Sequence, residues 1–181
     1  QHDLSLAHQK WLIKNFKNVE GHTIELDELF KSFEGTLNNF SSEHGMANSR
    51  ARLRMTTLYQ VAAANKGIVV GTGNKVEDFG VGFYTKYGDG GVDISPIADC
   101  NKTEVWELGK ELGILEEIIN AAPTDGLWDD GRTDEGQLGL SYKELEEAMS
   151  NENSVNRDKY NSIRNANLHK MEPIPVCKIP N

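Results

Sequence analysis

Cysteine is nearly absent from this 181-residue chain: Cys100 and Cys177 are its only two, too few for a disulfide framework and without the paired CxxC spacing of a zinc site. Both read as incidental thiols. Positive charge is scarce as well, with 19 Lys+Arg against 28 Asp+Glu and a formal charge of −9. That balance lacks the basic field that duplex nucleic acid or an anionic membrane requires, so neither is expected as a partner. Long apolar runs are missing, which excludes a transmembrane span, and the polar amino terminus is unlike a signal peptide. The cytoplasm is the expected location. Missing too are a GxSxG nucleophile elbow and a complete GxxxxGK[ST] phosphate loop, and no serine or cysteine stands in an activating context. No catalytic nucleophile is assigned. What is present is 38% hydrophobic content, enough for the core of one domain.

Residues 71–96, GTGNKVEDFGVGFYTKYGDGGVDISP, hold seven of the 17 glycines together with Glu77, Asp78, Lys86, Asp89 and Asp93. Glycine at that density lets backbone N–H groups approach a ligand, carboxylates can hold magnesium, and a lysine can reach a phosphate. The stretch predicts an anion-binding surface for phosphate chemistry.

Spacing along the chain predicts its elements. Leu4, Ala7, Trp11, Leu12 and Phe16 define an opening helix over 4–16, stopped by Gly21. Residues 22–26 read as a short strand, after which Asp27 caps a helix carrying Leu29, Phe30, Phe33 and Leu37, weakened at its end by Gly35. The best helix covers 46–66, with Ala51, Met55, Leu58, Tyr59 and Ala62 on one stripe and Gly67 as its stop. It feeds a buried apolar strand at 68–71 that opens into the glycine-rich loop. This is the grammar of a parallel α/β sheet, whose ligands sit beyond the carboxyl ends of its strands. Asn101 with Glu104 starts a helix lined by Val105, Leu108 and Leu112 and ended by Gly113, and a shorter one follows over 114–121. Residues 123–140 are polar and aperiodic, as in a lid, a binding loop or a disordered segment. Ser141 with Glu144 caps a helix carrying Tyr142, Leu145 and Met149, a last helix covers 154–168, and the proline-containing tail 171–181 is irregular.

Several residues on this frame suit chemistry. Arg50 and Arg54 fall on one side of the stripe of the best helix and Arg52 on the other, where a guanidinium can reach an interface or a ligand carboxylate; each alone reads equally well as solvated or ion-paired. Glu77 follows the strand end, where magnesium commonly takes one or two carboxylates; it and Asp78 also read as solvent-facing or helix-N-terminal acids. Lys86 and Asp93 bracket the YGDGG turn, and Lys102 and Thr124 stand at the starts of later elements, facing the same sheet edge. His169 and Lys170 read as a solvated pair, with no second ligand at metal spacing. Trp11 and Trp106 read as packing residues, while Trp128, in the polar loop, is placed to cover a flat ring.

Six motifs in one order, NSRARLRM at 48–55, GTGNKVEDFGVGFYTKYGDGGVDISPI at 71–97, Lys102, APTDGLW at 122–128, TDEGQLGLSY at 133–142 and HK at 169–170, resemble ammonia-dependent NAD synthetase. The resemblance implies an α/β, Rossmann-like ATP pyrophosphatase fold (the adenine-nucleotide alpha-hydrolase type), a parallel sheet flanked by helices, in one domain over 1–170. It implies adenylation of the nicotinate carboxylate of deamido-NAD by ATP, with release of pyrophosphate, and displacement of AMP by ammonia to give NAD. By motif position, Arg52, Lys86, Asp93, His169 and Lys170 resemble residues that hold deamido-NAD. Thr72, Lys102 and Thr124 resemble ATP contacts, and Glu77 resembles the magnesium ligand. A homodimer is implied by the same resemblance. The family's SGGxDS loop is not found in this sequence, so the chain is expected to be N-terminally truncated, to begin after the second strand and to lack the pyrophosphate grip. The expected activity therefore belongs to the parent protein. Two alternatives stay open: another adenylating ATP pyrophosphatase with a different acceptor, and a non-catalytic binding or dimerisation fragment.

Overall fold

The computed structural model describes residues 2–128 and 130–179, so Asp129 of the polar loop and the last two residues of the tail lie outside the described residues. Helices dominate. Apart from a single-turn 3-10 helix at Asn38–Phe40, they are α1 His2–Asn15, α2 Asp27–Thr36, α3 Glu43–Ala64, a π-helix Lys75–Val81, α4 Lys102–Glu111, α5 Glu116–Ile119, α6 Asp134–Leu138, α7 Tyr142–Ser150 and α8 Arg157–Met171.

Capping chemistry sets most boundaries. α3 begins before the expected position because the Ser42 hydroxyl accepts the Gly45 N–H at 3.2 Å, satisfying a donor that the first turn leaves free. At α7 the Glu144 carboxylate accepts the Ser141 N–H at 2.7 Å while the Ser141 hydroxyl accepts the Glu144 N–H at 3.3 Å, the reciprocal pair that the spacing predicts. Asp27 is not the cap of α2. Leu26 takes that position, and Asp27 is the first helical residue, where its charge still suits the helix dipole.

The strand expectations change. Residues 22–26 are irregular, and among the described residues 68–71 contribute a single parallel bridge, Val70 to Ile94, with the Gly71 N–H donating to the Ile94 carbonyl at 2.7 Å. The segment is not buried throughout: Val69 is 7% exposed, whereas Ile68 and Val70 are 59% and 53% exposed. That alternation is the period of a strand with one face covered, and among the described residues no other strand pairs with it. The stripe of α3 is also only partly covered, since Ala51 is buried but Leu58 is exposed.

Two helices lie where periodicity showed none. Inside the glycine-rich stretch, the buried Asn74 side chain accepts the Val76 and Glu77 N–H groups, each at 3.0 Å, and so starts the π-helix. Gly82 ends it with φ +65°, a left-handed turn in which a Cβ would also meet the Asn167 Cβ at 2.7 Å. Inside 123–140, Thr133 caps the short α6 through the Gly136 N–H at 3.1 Å.

The core joins these late elements. Val76 and Val81 of the π-helix pack with Leu138, Leu140, Tyr142, Leu145, Ala148 and Tyr160, all buried, so α7 and α8 clamp the π-helix. Leu145 is fully enclosed, whereas Leu112 after α4 is 69% exposed. In equilibrium urea unfolding, Leu145→Ala should lower stability by about 2–5 kcal/mol. Leu112→Ala should change it by less than about 0.5 kcal/mol; equal effects would mean that the core lies elsewhere.

Candidate functional site

Four first-turn residues meet at one point. Glu77 lies in the first turn of the π-helix, and Lys102, Asp134 and Tyr142 are the opening residues of α4, α6 and α7. Each side chain is therefore aimed from a helix end, where side chains already take some of the first N–H groups, Asn74 that of Glu77 and Glu135 that of Tyr142. The Lys102 ammonium sits 2.8 Å from Glu77 Oε1, with side chains 17% and 15% exposed. The Tyr142 hydroxyl hydrogen-bonds the same Oε1 and lies 3.1 Å from Asp134 Oδ2. Lys102 also stands 4.9 Å from the centre of the Tyr142 ring, a cation–π contact.

Charge here is unbalanced. Burial raises the Asp134 carboxyl above its usual range, with the Tyr142 hydrogen bond pulling it down and Glu77 pushing it up. Tyr142 is driven far above the usual phenol range by burial and by Glu77, so it stays a neutral donor. Asp78 is pushed up to about 7, chiefly by burial and then by Glu77 and Asp89. Its carboxyl rests on Gly73, where a Cβ would stand 1.8 Å from Oδ2. Asp134 Oδ1 is buried without a hydrogen-bond partner. Among the described residues, no group of three or more His, Cys, Asp or Glu is arranged around a metal position.

A second cluster gathers cations. Arg52 Nε donates to the Lys86 carbonyl at 3.2 Å, and Lys86 Nζ donates to the His169 carbonyl, chaining α3 to the end of α8 through the loop. Lys170 Nζ donates to the carbonyls of Gly82 and Tyr84 at 2.9 and 2.8 Å, while the Tyr84 hydroxyl returns a bond to the Lys170 carbonyl at 2.6 Å. Burial lowers the Lys170 ammonium below its usual range, and Asp89 opposes that. Arg50 and Arg54 turn the other way, donating to the Leu127 and Gly126 carbonyls at 2.6 and 3.2 Å. The arginines thus divide across α3 as the spacing predicts.

The structure brings Arg52, Lys86, His169 and Lys170 together and pairs Glu77 with Lys102. Lys102 and Thr124 line one groove of about 350 Å³ with Leu4, His8 and Trp106. Thr72 lies apart from them, in a cavity of about 250 Å³ beside Met55, Val69 and Gly91. Asp93 is also separate: its carboxylate accepts the Val69 N–H at 2.7 Å and the Tyr59 hydroxyl at 3.1 Å. Trp128 donates to Asp125 at 3.1 Å, and the Arg132 guanidinium covers its ring at 4.1 Å. Tyr142, Asp134 and Asn74 escaped the sequence reading. Their signal was position alone, at or beside a cap: Tyr142 follows Ser141, Asp134 follows Thr133, and Asn74 precedes the π-helix.

The NAD synthase family profile matches residues 1–178. The NH(3)-dependent NAD(+) synthetase of Carboxydothermus hydrogenoformans is 44% identical over 139 residues, 75% of this chain and 56% of that protein. The one from Methanosarcina acetivorans is 35% identical over 183 residues, 91% of this chain and 71% of that protein. The chain therefore spans a little over half the length of the first of these relatives. Among solved structures, the NMN synthetase from Francisella tularensis superposes with TM-score 0.85 at 32% identity, covering 100% of this chain and 74% of that one. The NH3-dependent NAD synthetase from Campylobacter jejuni has TM-score 0.64 at 24% identity over 86% of this chain and 64% of that one, a likeness of fold. Matched by the profile over residues 1–178, the chain belongs to the NAD synthase family.

Proposed function

We propose that the protein containing this chain amidates deamido-NAD with ammonia at the expense of ATP, through an NAD-adenylate intermediate, giving NAD, AMP and pyrophosphate. The family match over residues 1–178 carries the reading. The chemistry asks the protein for charge control more than for covalent work. Coupling a carboxylate to AMP creates a leaving group, and neutralising the departing pyrophosphate lowers the barrier. Lys102, which lines one groove with Thr124, is the ATP-side cation in this reading, and Thr72, in a separate cavity, is the third ATP contact. Arg52, Lys86, His169 and Lys170 receive the dinucleotide in this reading, with Asp93, held separately by the Val69 N–H and the Tyr59 hydroxyl, as a fifth contact.

Glu77 suits a magnesium ion. Lys102 and Tyr142 both take Oε1, which leaves Oε2 for a cation, and the neighbouring Asp78 and Asp134, carboxyls that burial and Glu77 hold towards the neutral form, can ionise towards a cation placed beside them. A single protein carboxylate is enough when water and phosphate oxygens complete the shell. When bound, the ion supplies charge neutralisation on the phosphates.

The finer architecture belongs to the same proposal. The parallel bridge at Val70 and Ile94, with Val69 facing inward, supports a parallel sheet of Rossmann type in the whole protein. We also propose a homodimer, and the cytoplasm as its location. No helix among the described residues is long and apolar enough to cross a membrane. The charge of −9 supports a partner other than nucleic acid.

One observation favours a second acceptor: a solved structure matched across this whole chain at TM-score 0.85 is named an NMN synthetase. The test supplies the full-length protein with ATP, magnesium and ammonium, and either deamido-NAD or nicotinate mononucleotide, and follows both amides by chromatography. NAD from deamido-NAD is expected. Amidation of the mononucleotide alone would transfer the reading to the second acceptor, and no amide from either would leave a binding fragment. Glu77→Gln should lower kcat/KM by about 10²-fold or more.

Asp78 yields a prediction about pH. Its folded value of about 7 lies above the ordinary carboxyl value, so the fold favours the protonated form; that contribution is complete at acid pH and is lost as pH rises through 7. In magnesium-free buffer, Asp78→Asn should therefore melt higher than the unsubstituted protein at pH 8, and the two should converge below roughly pH 4.

A further inference from the structure

We propose that Tyr142, anchored by Asp134, is the positioning residue for the Glu77 carboxylate and the Lys102 ammonium. The inference rests on the reading of Glu77 as the cation-side carboxylate. Every part of Tyr142 is held. Its backbone opens α7 behind the Ser141–Glu144 cap, and its N–H donates to Glu135 Oε1 at 2.8 Å. Its ring, 1% exposed, meets Trp106 edge to face at 5.8 Å and carries Lys102 over one side. Its hydroxyl stands between two carboxylates, Glu77 from the π-helix and Asp134 from α6.

Packing does not require that hydroxyl, since a phenylalanine would fill the same space. A buried polar group costs free energy unless it is bonded, and this one bonds into the candidate site and nowhere else in the core. Glu77 Oε1 is shared by two donors of different character, a charged ammonium and a neutral phenol. When an incoming phosphate draws Lys102 away, a carboxylate held by the lysine alone would be left buried, unpaired and free to rotate. The phenol prevents this: it keeps Glu77 bonded and aimed while its ring face retains the ammonium nearby. The single phenol proton lies towards Glu77, the shorter contact, and is shared with Asp134 Oδ2 at 3.1 Å, so Asp134, 6% exposed, limits the rotation of the phenol from the far side. The orientation of Glu77 thereby depends on α6, inside the loop over 123–140.

The experiment uses full-length protein with ATP and Mn²⁺ as a paramagnetic probe for magnesium. Tyr142→Phe should weaken Mn²⁺ binding and lower kcat, each by about 10-fold or more, with KM for deamido-NAD unchanged. Leu145→Ala, which thins the same core without touching either carboxylate, should keep the unsubstituted Mn²⁺ affinity. Equal Mn²⁺ affinity in Tyr142→Phe and the unsubstituted protein would overturn the proposal, as would an equal loss in Leu145→Ala. Should Tyr142→Phe fail to fold, Asp134→Ala is compared with Asp78→Ala, which removes a neighbouring carboxyl without touching the phenol: a larger loss of Mn²⁺ affinity at Asp134 supports the anchor, and an equal or smaller loss overturns it. Glu77→Gln, measured alongside, separates the two levels. If it leaves Mn²⁺ affinity unchanged, the cation reading itself falls; if it abolishes binding while Tyr142→Phe does not weaken it, the positioning role alone falls.

Discussion

The Glu77–Lys102 ion pair, 2.8 Å long and with both side chains less than one-fifth exposed, is the constraint around which the polar centre is arranged. Withdrawing two such charges from water costs several kcal/mol per ion in general, and attraction offsets this only when further hydrogen bonds complete the geometry. The chain meets that requirement from four directions. The π-helix supplies the carboxylate, α4 the ammonium, α7 the phenol and α6 the second acid. Glu146 of α7 adds a structural tie, accepting the Thr103 N–H at 3.0 Å and the Thr103 hydroxyl at 2.7 Å, so α4 starts where Lys102 must stand. Packing serves the same end, because the clamp of α7 and α8 on the π-helix fixes the origin of Glu77.

Legibility in the sequence followed the range of the forces involved. Caps such as Ser141 with Glu144 act within one turn, and the pattern of residue types names them directly. The split of the arginines across α3 was readable for the same reason, because helix geometry alone sends Arg50 and Arg54 towards 126–127 and Arg52 towards Lys86. The strand at 68–71 was only half readable. Its apolar run suggested burial on both faces, but the exposure of Ile68 and Val70 depends on which neighbour lies alongside, and local pattern cannot express that.

The site was legible in its motifs and illegible in its joints. Lys86, Lys102, Glu77 and the HK pair could be singled out because motif position carried them, and Glu77 also fitted the reading of a helix-N-terminal acid. Tyr142 looked like one more apolar residue on the face of α7, since nothing local tells a phenol facing two carboxylates from one facing leucines. The π-helix was hidden because Gly80 and Gly82 read as loop, while the Asn74 cap that starts it bonds groups two and three residues ahead.

The cations of the second cluster bond to carbonyl oxygens: Arg52 to Lys86, Lys86 to His169, Lys170 to Gly82 and Tyr84, with Arg164 doing likewise at Gly80. A carbonyl fixes a cation in place without cancelling its charge. On a chain of net charge −9 this concentrates positive charge in one place, with Asp89 the nearby acid that acts on Lys170. For the anionic dinucleotide of the proposed reading, this distribution would repel approach over most of the surface and favour it at one part, making capture selective in direction before any contact is made. The speed of that capture falls as salt shortens the reach of the field.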